Sequence, residues 1–291
     1  MHSVNPLGDF IRARRAATKP DQVGLPDGRP RRTAGLRREE VALLAGVSEG
    51  YYARLEQGRE KRPSDQVLNA LIRVFRLDTD DAEYLHRLAR RGTRTHGRSF
   101  PDTVDEASPD VLRLIAGWSV PALVLGPRLD VLGANRPGHA LFPALPPRTN
   151  AARYLFLDPA SRTFCLDWEE MTESAVAALR SHADQVPDDR RLTHLIGELS
   201  EKSEEFRALW DRYIVSPRAY QCRRFHHPEA GELRLAFQNF TVNDAPGQQL
   251  VTFQAEAGSA SEKALARLLA AAGRYDPSGG TPSRSVPEDE A

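Results

Sequence analysis

Arg54 is the side chain of this 291-residue sequence whose chemistry is easiest to name. Its planar guanidinium carries a fork of donors that matches the paired acceptors on the edge of guanine. Glu49, Gly50 and Tyr51 stand beside it at helical spacing. Glu49 can accept from cytosine or exclude wrong bases, and Gly50 lets a backbone lie close to a ligand. Ser48 and a run of cations, Arg59, Lys61 and Arg62, follow the spacing of groups that hold flanking phosphates, and Arg38 lies one helix earlier. The alternative is an ordinary helical hairpin with scattered arginines.

These residues need two helices to position them, and the stretch LRREEVALLAGVSEGYYARLEQGREKRP supplies both. The first is predicted over Arg38–Ala45, with Val41, Ala42, Leu44 and Ala45 on one face. Gly46 stops it, Val47 plugs the turn, and Ser48 caps a second helix over Glu49–Gln57. Tyr52 and Leu55 then face inward, so Glu49, Gly50 and Arg54 must face outward, with Tyr51 beside them. Gly58 ends the helix. Two short helices through a tight glycine-bearing turn form a helix-turn-helix, whose second helix fits a DNA major groove.

AGVS, Leu55-Glu56 and Gln57 to Pro63 resemble the lambdoid repressor, or XRE, class of helix-turn-helix. The resemblance implies a five-helix bundle, here about Leu7–Arg15, Arg38–Ala45, Ser48–Gln57, Ser64–Phe75 and Thr79–Arg91. It also places Arg38 at the family's phosphate-contacting position and Glu49, Gly50 and Arg54 at its base-reading positions. Two departures stand out. Arg37 replaces the usual Ser or Thr cap, although Glu40 keeps the other half of a capping box. A Pro/Gly-rich basic insert, residues 16–35, holds Arg29, Arg31 and Arg32. It either touches DNA phosphates or a minor groove, or is simply solvated.

Charge divides the chain. Residues 1–98 carry 20 Lys+Arg against 13 Asp+Glu, and the remainder 20 against 27. A basic first part and an acidic second part indicate a DNA-binding domain over 1–92, joined by a linker over 93–109 to a domain that does not bind DNA, 110–272. A polar tail, 273–291, has too few apolar residues to pack. Cys165 and Cys222 are too few for a disulfide framework. With no apolar run of about 20 residues and no signal core, the expected compartment is the cytoplasm, on the nucleoid.

The second domain opens with a short helix near Val111–Trp118. A hairpin follows, Ala122–Leu125 and Val131–Ala134, with Asn135 placed to cap the next turn. Three helices are predicted around Trp168–Leu179, Leu192–Leu199 and, capped by Ser203, Phe206–Tyr213. The end reads as all β: Gln221–His226, Glu232–Phe240 and Gln248–Glu256. A hairpin, then helices, then an antiparallel meander is the order of a PAS-like α+β sensor domain.

PALVLGPRLDVLGAN, NAARYLFLDPASR, LIGELSEKSEEFRALW, FHHPEAGELRL and QQLVTFQAE resemble the MmyB-like ligand-binding domain over roughly Val111–Gly258. The resemblance implies one-component transcriptional control in an actinobacterial regulator, and a hydrophobic pocket for a fatty-acid-like ligand. Where that family tends to carry His then Asp after FRALW, this chain has Tyr213 and Ile214, which implies a different or more apolar ligand. Tyr154, Phe156, Trp168, Phe206, Trp210 and Tyr213 are candidate lining residues, or ordinary core. Arg153, Arg180 and Arg207 are candidate carboxylate anchors, or salt bridges. His227 either bonds a ligand or caps its strand.

An enzyme is the rival class. Cys222, His226, His227 and Glu229 superficially resemble metal ligands, but match no closed zinc spacing. No nucleophile elbow, dinucleotide fingerprint or phosphate-binding loop is present, so neither catalysis nor a cofactor is expected. A regulator titrated by a protein partner remains the other alternative. One helix-turn-helix reads too few base pairs for a genome, so a homodimer on double-stranded DNA is expected.

Overall fold

The computed structural model describes residues 5–25, 34–60, 62–91, 106–212 and 222–272. Five α-helices form the N-terminal part: α1 Pro6–Ala17, α2 Arg38–Ala45, α3 Glu49–Glu56, α4 Asp65–Phe75 and α5 Thr79–Arg91. Each bound falls within two residues of its expected place. Asn5 accepts from Gly8 N–H to cap α1, and Ser64 accepts from Val67 N–H to cap α4. Phe10, Ile11, Leu36, Val41, Tyr52, Leu55, Leu71 and Leu85 are wholly buried between these helices. Leu44 departs from expectation at 38% exposed, and Leu43 is 77% exposed. The inward stripe of this short helix runs through Val41, Ala42 and Ala45, leaving both leucines at its edge. The insert contains a 3-10 turn, Pro20–Val23, but the arginines at 29, 31 and 32 lie outside the described residues.

The C-terminal part is helices around a five-stranded, wholly antiparallel sheet. Helix α6, Pro109–Ala116, precedes the hairpin β1 Ala122–Leu125 and β2 Val131–Ala134. Helices α7 Arg136–Leu141, α8 Ala151–Leu157, α9 Ala160–Phe164, α10 Trp168–Gln185, α11 Arg190–Lys202 and α12 Glu204–Asp211 follow. The meander is β3 Cys222–His227, β4 Gly231–Thr241 and β5 Gln249–Ala255, and α13, Ala260–Ala272, closes the chain. Strand order is β2-β1-β5-β4-β3, which puts both ends of the domain's strand sequence side by side at the centre.

Alternation in β1 distributes the core between two faces. Leu123 joins the large core with Val131, Leu179, Phe206, Phe225 and Leu235, whereas Ala122 and Val124 pack with Val111, Ile115 and Leu250 under α6. Asn135 ties this centre together. Its Oδ1 accepts from Ala122 N–H at 2.9 Å and caps α7 through Gly138 N–H at 2.8 Å, while its amide donates to the Val120 carbonyl at 2.8 Å.

The all-β ending is corrected by α13. Ser259 accepts from Glu262 N–H, and the Glu262 carboxylate accepts from Gly258 N–H. Ala264, Leu265 and Leu268 then supply a buried helical stripe against the sheet. That Ser-x-x-Glu signal is present in the sequence. Helices α7, α8 and α9 are also additions to the expected order. They are five to seven residues long, too short to show a clear period.

Candidate functional site

The outer face of α3 carries the predicted base-reading set. Glu49, Gly50 and Arg54 are exposed and Tyr51 is half-buried, while Tyr52 and Leu55 are at 0% exposure on the opposite side. The helix starts as expected: Ser48 Oγ accepts from Tyr51 N–H at 3.1 Å. Two glycines make the approach and exit possible. Gly46 closes α2 at φ +69°, and Gly58 follows α3 at φ +70°, a left-handed conformation that side chains resist. A Cβ at Gly58 would also stand 2.5 Å from Asn5 Cγ. The Arg54 guanidinium lies 5.9 Å from the Tyr51 ring centroid. A Cβ at Gly50 would meet only Arg54, at 3.7 Å, so this stretch of backbone is open. Arg59 and Arg62 are exposed, and Lys61 lies outside the described residues.

What fixes α3 against the rest is a buried carboxylate that sequence reasoning passed over. Glu56 is at 0% exposure. It accepts from Arg15 Nε at 2.6 Å and from Arg38 Nε at 2.7 Å, tying α3 to α1 and α2. Burial alone would raise this carboxyl, but the two guanidiniums overcome burial and hold it below the ordinary glutamate value. The Glu56 backbone carbonyl, at the end of α3, accepts from the Asn5 amide at 2.8 Å and from Arg12 at 3.1 Å. Arg38 therefore spends one edge of its guanidinium on Glu56. Its side chain remains 44% exposed, which leaves the other edge toward solvent. The only available signal was an acidic residue at an inward helical position, one from Leu55. The half of the capping box that Glu40 keeps is as expected, with Arg37 N–H donating to Glu40 Oε2 at 2.7 Å.

In the C-terminal part four of the predicted lining residues, Phe156, Trp168, Phe206 and Trp210, form a continuous aromatic cluster. Phe156 meets Trp168 and Phe206 edge-on, at 6.2 and 5.0 Å between ring centroids, and Phe206 stacks on Trp210 at 5.6 Å. Phe206 is fully buried, and the two tryptophans, Phe156 and Tyr154 are half-buried. Burial pushes the Tyr154 phenol up to about 12. The Trp168 indole N–H donates to the Leu155 carbonyl at 2.9 Å. Tyr213 lies outside the described residues.

The expected anchors are placed differently from one another. Arg180 is 6% exposed, donates to the Trp210 carbonyl and lies 4.0 Å from its ring centroid. Arg207 is exposed on the outer side of α12 and donates to the Ser200 carbonyl, away from the aromatic cluster. Arg153 pairs with Glu198 at 2.8 Å. His227 is 2% exposed, with Nε2 at 3.0 Å from the Ala140 carbonyl and Nδ1 accepting from the Glu229 and Ala230 N–H groups. Nδ1 thus holds the β3–β4 turn, and Nε2 ties that turn to α7. Strand alternation exposes His226 while burying its neighbour, which separates the suspected metal ligands, and no metal-holding group of three such side chains occurs among the described residues.

Two family profiles match the chain. A helix-turn-helix domain covers residues 6–85, and the MmyB-like transcription regulator ligand binding domain covers residues 107–269. The chain belongs to the MmyB-like transcription regulators. A helix-turn-helix joined to this ligand-binding domain makes it a ligand-responsive transcription regulator that binds DNA through its first domain. No curated protein matches the chain. No helix among the described residues is long and apolar enough to cross a membrane.

Proposed function

We propose that this MmyB-like regulator binds specific double-stranded DNA as a homodimer in the cytoplasm, and that its C-terminal domain releases or secures that DNA on taking up a hydrophobic, fatty-acid-like ligand. The observation that carries the reading is the division of α3. Its inner residues lock into a core while Glu49, Gly50, Tyr51 and Arg54 line an uninterrupted outer face. Ser48, Arg59 and Arg62 flank it, with the free edge of Arg38 behind, and Lys61 joins them by its position in the sequence alone. These are assigned to phosphates, and the four α3 residues to base edges.

A lambda-repressor-like bundle is supported by five helices in the expected order, and a PAS-like fold by the central placement of β1 and β5. The ligand reading rests on Trp168 and Trp210. Each is half-buried at the rim of the aromatic cluster, and each carries a guanidinium on its ring, Arg162 at 3.8 Å and Arg180 at 4.0 Å. An apolar chain with an acidic head matches such a rim. The test is a titration of the full chain with fatty acids of increasing length, read by tryptophan fluorescence and by affinity for an operator found by genome-wide mapping of bound sites. Affinity should rise with each buried CH₂ by about 0.8 kcal/mol until the pocket ends. Affinity indifferent to chain length would exclude the apolar pocket.

A further inference from the structure

A concavity lies in this domain between β2, the start of α8 and the start of α11. Its volume is about 580 Å³. Its floor is apolar, from Val131, Leu132 and Leu195, and its walls and mouth carry Arg128, Arg148, Arg153, Arg190, Arg191 and His194. Only Glu106 and Asp130 oppose them in the lining.

Three of these cations already have partners, Arg191 among them. Arg128 donates to Asp189 at 3.0 Å, and Arg153 pairs with Glu198. Arg148 and Arg190 make no side-chain hydrogen bond or ion pair among the described residues, and both are exposed at the mouth. Two uncompensated guanidiniums over an apolar floor match a ligand with two negative charges and an apolar body.

The wall is built rather than incidental. Leu129 and Arg148 are held at φ +65° and +72°, a left-handed conformation that residues with a Cβ adopt only when their surroundings impose it. Backbone bonds impose it here: Arg148 N–H donates to Val131 O, and Ala151 N–H to Leu129 O, each at 2.8 Å. The Asn150 amide adds bonds to the Arg128 carbonyl and to Asp130, both at 2.8 Å. Strained backbone of this kind aims Arg148 over the opening.

We propose that this cavity is a second ligand site, for a small organic dianion, a phosphate monoester or a dicarboxylate. It shares neither the aromatic residues nor the ring-seated Arg162 and Arg180 of the fatty-acid-like reading, and Arg153, the one expected anchor in its lining, is paired with Glu198, so the two readings stand or fall separately.

The test is calorimetric titration of the full chain with phenyl phosphate and with phthalate, at constant ionic strength, against the monoanion benzoate. The expected result is saturable binding of one dianion or both, benzoate weaker, and affinity reduced about tenfold or more in the double variant Arg148→Gln, Arg190→Gln, as removal of charge-assisted bonds should give. The dianion that binds tells phosphate from dicarboxylate. Both arginines are exposed, so the variant should keep the parent melting temperature and fatty-acid response. Three results would overturn the proposal. They are no saturable binding of either dianion, equal affinity in parent and variant, and a variant that loses DNA affinity while neither dianion binds, which would give these arginines to DNA phosphate.

Discussion

The outer face of α3 and the aromatic cluster around α12 both concentrate large side chains with polar tips, yet they stand in opposite states. On α3, Glu49 and Arg54 project into solvent, fixed from behind by the Glu56 triad. Around α12, Phe206 is sealed, the Trp168 N–H is bonded to backbone, and the Arg180 guanidinium sits over the Trp210 ring. One region keeps its chemistry outside and its rigidity inside. The other turns its chemistry inward, so a ligand there must displace or slide along contacts that already exist. On the proposed assignment of these two regions, recognition of DNA rests on a stiff support, while sensing would work through a cluster whose contacts can be exchanged.

The largest effect should come from the support. Glu56→Gln removes a carboxylate from two guanidiniums. Since both arginines retain some access to water, the cost should be about 1.5–3 kcal/mol, the range for hydrogen bonds to charged groups. Thermal unfolding should show the loss in the N-terminal core and leave the C-terminal core unchanged. The pH dependence has a definite sign. The Glu56 carboxyl is lower when folded, so its contribution is complete above the ordinary value of 4.5 and is lost as the pH falls through the lowered folded value. Glu56→Gln should flatten that acid limb. An unchanged limb would mean that other carboxylates set it.

Next in size is base readout. Arg54→Ala should cost about 1–3 kcal/mol on the specific operator and little on random DNA. Equal losses on both would reassign Arg54 to phosphate, and the α3 face would then position the protein without reading sequence.

The two regions also differ in how far they were legible from sequence. Exposure on α3 follows from period alone: once Tyr52 and Leu55 are inside, Glu49 and Arg54 have no other place to go. Glu56 was not legible, because a buried acid next to Leu55 looks like a surface residue until Arg15 and Arg38, distant in sequence, are brought to it. In the C-terminal part the hairpin, its Asn135 cap and the meander were legible from alternation and turn residues. The distinction between core and pocket was not. Periodicity shows that Phe206 and Trp210 face inward, but not whether they meet other side chains or space. Nor does a lone arginine show its partner: Arg180 found a carbonyl and a ring, Arg153 a glutamate, Arg207 an outer surface.

A smaller effect belongs to the flanking charges. Arg62→Ala should weaken binding to all sequences alike and lower the slope of log affinity against log salt by about one. A slope that does not move would take Arg62 off the phosphate contacts and confine DNA contact more closely to α3.

The smallest expected effect tests whether the two regions are separate at all. Tyr84 of α5 belongs to the N-terminal core, where it packs edge-on against Phe10, and its hydroxyl donates to Asp184 near the end of α10. Two residues earlier on that helix, His182 meets Asp189 at 2.9 Å, and Asp189 in turn meets Arg128 in the wall of the basic cavity. Polar contacts thus tie the end of α10 both to the back of the DNA-binding core, through Asp184, and to the wall of the basic cavity, through His182 and Asp189, with only the α10 backbone between Asp184 and His182. Tyr84→Phe removes one hydrogen bond and keeps the ring, so the cost should be about 0.5–1.5 kcal/mol. Hydrogen exchange should locate it, as faster exchange in the last turn of α10 with α11 unaltered. If the contact also transmits the ligand state, the variant should bind operator and ligand much as the parent does, while the influence of one on the other shrinks. Unaltered exchange would make the contact incidental. Altered exchange with an undiminished ligand effect on DNA would place the coupling elsewhere in the chain.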